Sequence, residues 1–252
     1  MKLSEKLVNT LYTGPQSVIS VTGGGGKTST LRLLALKFKE MGLSVLITTT
    51  TKFQGPKQFN WGLDYSFSEE ADILSHEIKK GEIVYFAKRS VVDMKKYTSP
   101  RLEILSLLTK RFDVTIIEAD GAKMLPLKLH TQRDPVIIDE TTATLAIMGA
   151  SALNDRADNN CFGFSGDDIA SVEFYQKLID HEEGVLKDAK GIKLILINQC
   201  DLISDVSVFK RLNAPCEIVL GSINEDKVYV WNSKWAWEKE FTLCLSNYYK
   251  NK

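Results

Sequence analysis

The stretch Val18-Ile19-Ser20-Val21-Thr22-Gly23-Gly24-Gly25-Gly26-Lys27-Thr28-Ser29-Thr30 decides the fold. A short β-branched run precedes four glycines, and Leu31, Leu34, Ala35 and Phe38 follow at helical spacing until Gly42 offers a stop. The order is strand, tight turn, helix. Four residues without Cβ let the backbone close around an anion, so that several N–H groups and the positive end of the helix address the same phosphates. In this reading Lys27 reaches the β and γ oxygens of a nucleoside triphosphate and Thr28 offers its hydroxyl to a bridging magnesium ion. Gly23, Gly24, Gly25, Gly26, Lys27, Thr28 and Ser29 are therefore the candidate nucleotide contacts, within a turn spanning 22–29.

Working outward, Gln16 to Val21 and Leu43 to Ile47 are strand-like and flank that helix, a βαβ unit that predicts a parallel sheet with a right-handed crossover. Ligands of such sheets bind at the carboxyl ends of the strands. Thr48-Thr49-Thr50-Thr51-Lys52 occupies one such end, and Phe53 to Gly62 carries the Gly and Pro of a loop. Helices are expected over Asp72–Lys80, Arg101–Phe112 and about Asp168–Asp188, the last entered through a capping box at Ser165-Gly166-Asp167-Asp168. Further strands are expected at Ile83–Lys88, Val114–Ile117, Thr144–Met148, Lys193–Ile197, Glu217–Leu220 and Lys227–Val230. The fold class is α/β, a three-layer P-loop NTPase-like arrangement around a mostly parallel sheet. A single domain over 1–252 is expected, with a variable C-terminal segment from about 221.

Composition narrows the partners. Thirty-two Lys and Arg balance thirty-two Asp and Glu with no basic block, which argues against nucleic acid and against an anionic membrane surface. No apolar run reaches the roughly 18–20 residues of a membrane span, and Met1-Lys2-Leu3-Ser4-Glu5-Lys6 leads into no signal-like segment, so a cytoplasmic protein is expected. Cys161, Cys200, Cys216 and Cys244 are widely separated and read as buried free thiols rather than a zinc site or disulfide frame.

Glu118-Ala119-Asp120-Gly121 closes the strand at Val114–Ile117 and reads in two ways. Glu118 can be the acid of a metal-holding strand end with Gly121 approaching the γ-phosphate, or Glu118 and Asp120 can share one magnesium ion, since residues i and i+2 of an extended strand share a face. The plain alternative is a solvated acidic strand end. Thr50, Thr51 and Asp120 are candidates to orient an attacking water, with Lys27 and the turn amides carrying the electrostatic share of catalysis. Asn198-Gln199-Cys200-Asp201 resembles the N-K-x-D guanine-reading motif with Gln in place of Lys. Asp201 could accept from guanine N1–H and the 2-amino group, worth roughly 1.5–3 kcal/mol each, which favours GTP over ATP. A helix N-cap at Asp201 would ask for the same residue.

Val21 takes the position where an ordinary P-loop has its first glycine. The variant resembles the G-G-x-G-K-[ST] loop of metal-chaperone and signal-recognition GTPases and the T-G-x-x-G-K-T loop of Mur ligases. Taken in order, VTGGGGKTST at 21–30, TTTTK at 48–52, EADGAK at 118–123 and NQCD at 198–201 resemble the YqeC-type selenium cofactor biosynthesis family, from about Ile19 to Asp201. Asp134 stands where that pattern has Glu before Pro, and the match fades after Gly221.

The resemblance implies a P-loop nucleotide-binding protein that uses Mg²⁺ with GTP or ATP. It also implies a slow NTPase acting in selenium cofactor biosynthesis, with a selenium-dependent molybdenum hydroxylase or its cofactor as partner. By the same matching Lys52, Lys123, Lys128, His130 and Arg156 become candidates for an anionic substrate, His130 being also readable as a packed loop histidine. His76 and His181 read as solvated. The rival functions are a Mur-like ATP-dependent ligase or small-molecule kinase, and a nucleotide-switched scaffold with negligible turnover.

Overall fold

The computed structural model describes residues 1–52, 62–89 and 97–232. The strands are β1 (Ser17–Gly23), β2 (Val45–Thr49), β3 (Tyr65–Phe67), β4 (Ile83–Phe86), β5 (Lys88–Arg89), β6 (Tyr97–Thr98), β7 (Val114–Glu118), β8 (Leu127–Lys128), β9 (Ala143–Gly149), β10 (Cys161–Phe162), β11 (Ile192–Asn198), β12 (Glu217–Ser222) and β13 (Lys227–Asn232). Nine of them form one sheet in the order β13-β12-β11-β9-β1-β7-β2-β4-β3. All neighbours run parallel except the edge pair β12–β13. The α/β class and the mostly parallel sheet hold. The expected loop at Phe53–Gly62, apart from Gly62, lies outside the described residues, as do Cys244 and the end of the C-terminal segment.

The period-two alternation of the strands sorts the core into two faces. Ile19, Val21, Val45, Ile47, Val114, Ile116, Leu145, Ile147, Leu194 and Leu196 pack on helices α1 (Leu3–Leu11) and α2 (Lys27–Glu40). On the other face, Ala146, Met148, Ile195 and Ile197 meet α6 (Val172–Asp180). There Leu46, Val84, Phe86, Val18 and Ile117 meet α3 (Glu70–Ser75) and α4 (Leu102–Thr109). A further short helix, α5 (Ala157–Asn160), leads into β10. The molecule is thus helix, sheet, helix.

Several boundaries differ from expectation for identifiable reasons. β2 starts at Val45 rather than Leu43 because the Ser44 N–H and hydroxyl both donate to Asp113 Oδ2 at 2.8 Å, so the ladder begins after that clamp. α3 stops at Ser75, well before Lys80, where the Arg111 guanidinium takes the carbonyls of Ile73, Leu74 and His76. α6 begins at the N-cap Ser171, whose hydroxyl accepts from Phe174 N–H, and the Ser165–Asp168 box precedes no helix start. It ends at Asp180 because Gly184 folds back onto it, letting Val185 N–H bond Leu178 O at 2.9 Å. α1 had no counterpart in the sequence reading. Its Leu3, Leu7, Val8 and Leu11 are buried, and Asp226 accepts from Ser4 N–H and hydroxyl at its first turn. Among the described residues no helix is long and apolar enough to cross a membrane.

Candidate functional site

Parallel pairing around β1 brings five strand ends together: Gly23 of β1, Thr49 of β2, Glu118 of β7, Gly149 of β9 and Asn198 of β11. The glycine turn is packed before it is open. Gly24 N–H donates to Ile147 O at 2.9 Å, and Gly25 N–H to Leu125 O at 3.1 Å. A Cβ on Gly25 would lie 2.5 Å from Gly149 Cα, so this close approach admits no side chain on either residue. Gly26, at φ +119°, then caps α2 without any side-chain cap bond. No hydrogen bond among the described residues uses the N–H of Gly26, Lys27, Thr28 or Ser29. The expected row of amides therefore divides, with Gly23 to Gly25 engaged internally and the next four presented at the start of a fourteen-residue helix.

Lys27 is buried and turned back into the strand ends. Its ammonium donates to Gly23 O at 2.5 Å and lies 3.0 Å from Asp120 Oδ1. Asp120, fully buried, also accepts at Oδ2 from Gly23 N–H at 2.8 Å and from His130 Nε2 at 2.7 Å, with Lys128 Nζ 3.7 Å away. Burial alone would push its carboxyl up. Lys27, the His130 bond and Lys128 outweigh that and hold it well below the usual carboxylate range. The His130 ring is fixed at its other end, where Nδ1 donates to Gly184 O at 2.7 Å, so neither nitrogen is left for a substrate. Lys128 donates to Gly121 O and to Asp134. Both ring nitrogens of His130 are thus engaged within the protein, and Asp120 takes its two hydrogen bonds at Oδ2 while its Oδ1 faces the Lys27 ammonium without a hydrogen bond.

Glu118 is the contrasting acid. It sits in register between Val21 and Thr49 on the α2 face, and its Oε2 is buried with no hydrogen-bond partner. Burial raises its carboxyl to about 7, with Lys27 pulling down and Asp120 pushing up. The Glu118 charge in turn adds to burial in raising the Tyr85 hydroxyl. The two acids share the neighbourhood of Lys27, and each keeps one oxygen without a hydrogen bond, Asp120 Oδ1 being 3.0 Å from the Lys27 ammonium. An orphaned carboxylate oxygen and a threonine hydroxyl at a helix start are donor types that suit magnesium, which takes few protein ligands. Thr28 is half-buried there. No group of three or more His, Cys, Asp or Glu able to hold a metal by themselves occurs among the described residues.

The remaining candidates separate. Thr50 donates its hydroxyl to Val136 O at 2.8 Å, while Glu118 O accepts from the Thr49 hydroxyl at 3.0 Å and from the Thr50 N–H at 3.1 Å. Thr51 is half-buried and Lys52 exposed. Gly121 is exposed, with open space where a Cβ would stand. Lys123 is exposed and, like Lys128, lies about 5 Å from the Phe162 ring centre. Arg156 is exposed and paired with Asp158 and Asp167, apart from the Asp120 cluster. His76 is not solvated as expected: it is half-buried, bonds Glu82 at 3.0 Å and packs on Tyr65 and Phe67.

At the end of β11, Asn198 is fully committed. Its Nδ2 donates to Gly25 O at 2.7 Å and its Oδ1 accepts from Ile223 N–H at 2.9 Å, tying the glycine turn to the end of β12. Asn198 thus braces the turn. Gln199 adopts φ +65° and accepts from Ser151. Asp201 is half-buried. Cys161, Cys200 and Cys216 are free, and burial pushes the first two thiols up to about 12 and the third to about 11. Sequence reasoning missed Gly149, whose visible signal was a glycine closing the apolar run Thr144–Met148.

The motifs assembled here correspond to a known family pattern. The family described as "YqeC protein" matches residues 19–164, more than half of the chain. The chain belongs to the YqeC family. An uncharacterized protein YqeC from Escherichia coli (strain K12) is 29% identical over 184 residues, covering 68% of this chain and 71% of that relative. No solved structure matches. The YqeC match ends at residue 164, so it takes in the turn, Glu118, Asp120 and His130 and stops short of Asn198 and Asp201.

Proposed function

We propose that this YqeC-family chain binds a magnesium nucleoside triphosphate, with the phosphates on the amides of Gly26 to Ser29. The supporting observation is that row of four unengaged N–H groups beside the Lys27 ammonium at a helix start. Thr28 and Glu118 are the residues suited to hold magnesium, which would supply charge neutralisation across the phosphate oxygens. Lys27 then contacts the β and γ oxygens. The reaction that fits is slow phosphoanhydride hydrolysis by positioning and electrostatics. GTP is the favoured base because Asp201 keeps its carboxylate free beside a turn that Asn198 holds in place. The family resemblance supports a role in selenium cofactor biosynthesis and in maturing selenium-dependent molybdenum hydroxylases.

A second reading has its own observation. Asp120 takes two hydrogen bonds at Oδ2 and pairs with Lys27 at Oδ1, and the Thr50 hydroxyl is taken by Val136, so neither is oriented toward a water. A nucleotide-switched scaffold with negligible turnover fits that arrangement, and single-turnover hydrolysis separates it from an enzyme. Calorimetry with GTP and ATP, with and without magnesium, tests binding itself. Lys27→Ala should weaken either triphosphate about 100-fold, in line with a charge-assisted contact of roughly 3 kcal/mol; unchanged affinity removes the assignment.

A further inference from the structure

Asp120 makes two bonds of the kinds a phosphate would make in such a turn: it takes a glycine N–H, that of Gly23, and it takes the Lys27 ammonium. A polyphosphate on the neighbouring amides would compete for the same lysine. We propose that Asp120 is an internal anion of the phosphate turn, exchanged at Lys27 for a polyphosphate when one binds. The inference rests on the phosphate reading given above and adds the regulation of that site. Three features favour exchange over a fixed structural pair. Lys27 reaches Asp120 Oδ1 only as an ion pair without hydrogen-bond alignment, since that buried oxygen has no hydrogen-bond partner. Asp120 keeps its other anchors when Lys27 leaves, because His130 and Gly23 N–H both bond Oδ2 and Lys128 stands 3.7 Å from it. His130 is itself braced on Gly184 O, so the carboxylate stays in place as the lysine swings. His130 is thereby a positioning residue that acts through Asp120.

The test reads Lys27 directly. Competitive amine labelling, followed by mass spectrometry, compares Lys27 in wild-type protein and Asp120→Asn without added phosphate, using exposed Lys52 and Lys123 as references. The exchange predicts labelling of Lys27 about tenfold faster in Asp120→Asn, and inorganic pyrophosphate bound about tenfold more tightly in magnesium-free buffer, because the competing state is removed. A purely structural Asp120 would lower the melting temperature without tightening pyrophosphate, and that result overturns the proposal. Unchanged Lys27 labelling overturns it while leaving the phosphate reading intact. Faster labelling with no pyrophosphate binding by wild-type protein overturns both. If Asp120→Asn does not fold, a crystal structure of the wild-type protein with pyrophosphate decides: Lys27 must have left Asp120 while His130 remains on it, and a Lys27–Asp120 pair surviving beside bound pyrophosphate contradicts the exchange.

Discussion

The carboxyl ends of β7 and β11 lie on the same edge of one sheet with β9 and β1 between them, β7 closing in Glu118 with Asp120 after it and β11 in Asn198 with Asp201 after it. At β7 the order comes from charge. Asp120 is buried under Lys27, His130 and Lys128, and Glu118, whose Oε2 has no hydrogen-bond partner, has its carboxyl raised by burial. At β11 the order comes from a neutral amide. Asn198 satisfies one backbone carbonyl and one backbone N–H, and Asp201, three residues later, is half-buried near Tyr229. One end is ordered by charge, the other by the shape of the glycine turn.

Breaking the neutral end should have the larger effect on stability. Asn198→Ala leaves Gly25 O and Ile223 N–H buried without partners, an expected loss of about 3 kcal/mol in denaturant unfolding, with nucleotide binding weakened as the turn loosens. A loss no larger than that of an exposed substitution would mean the amide is replaceable by water.

The charged end answers to pH. Because the Glu118 carboxyl is raised from 4.5 to about 7 in the folded chain, its contribution to stability is full below the ordinary value and is lost as pH rises through about 7. Glu118→Gln should flatten the stability profile between those values and raise stability at pH 8 by about 2–3 kcal/mol. It should also weaken magnesium-dependent nucleotide binding. An unchanged pH profile would mean Glu118 is ionised and paired in solution.

Smaller effects sharpen the division. Asp201→Ala should reduce any preference for GTP over ATP at least about tenfold, the value of a single charge-assisted bond at the low end of its range, without moving the melting temperature; persisting discrimination would place base selection elsewhere. Arg156→Ala should change neither stability nor nucleotide affinity measurably, since its guanidinium is exposed and paired only with surface acids.

How much of this could be read beforehand follows the same division. The glycine turn, the strand before it and the acids after Ile117 were legible because each needs a residue type that periodicity and spacing expose. What was not legible was which partner each polar group would choose. Asn198 and Asp201 matched a base-reading pattern, yet the amide faces the glycine turn, a contact across 173 positions that no local signal encodes. Around Asp120, the His130 and Lys128 contacts come from the following segment, and no spacing in the sequence announced them. Helix ends failed likewise: α3 was cut short by Arg111 from another element, and α6 by Gly184 folding back.

The most direct measurement is a two-dimensional ¹⁵N–¹H spectrum titrated with magnesium GTP and magnesium ATP. The expected result is that the amide signals of Gly26, Lys27, Thr28 and Ser29 shift most and gain protection from exchange, while those of Gly24 and Gly25, already bonded to Ile147 and Leu125, move less. Signals of all four that stay fixed at millimolar nucleotide would contradict the proposal that this turn receives a polyphosphate.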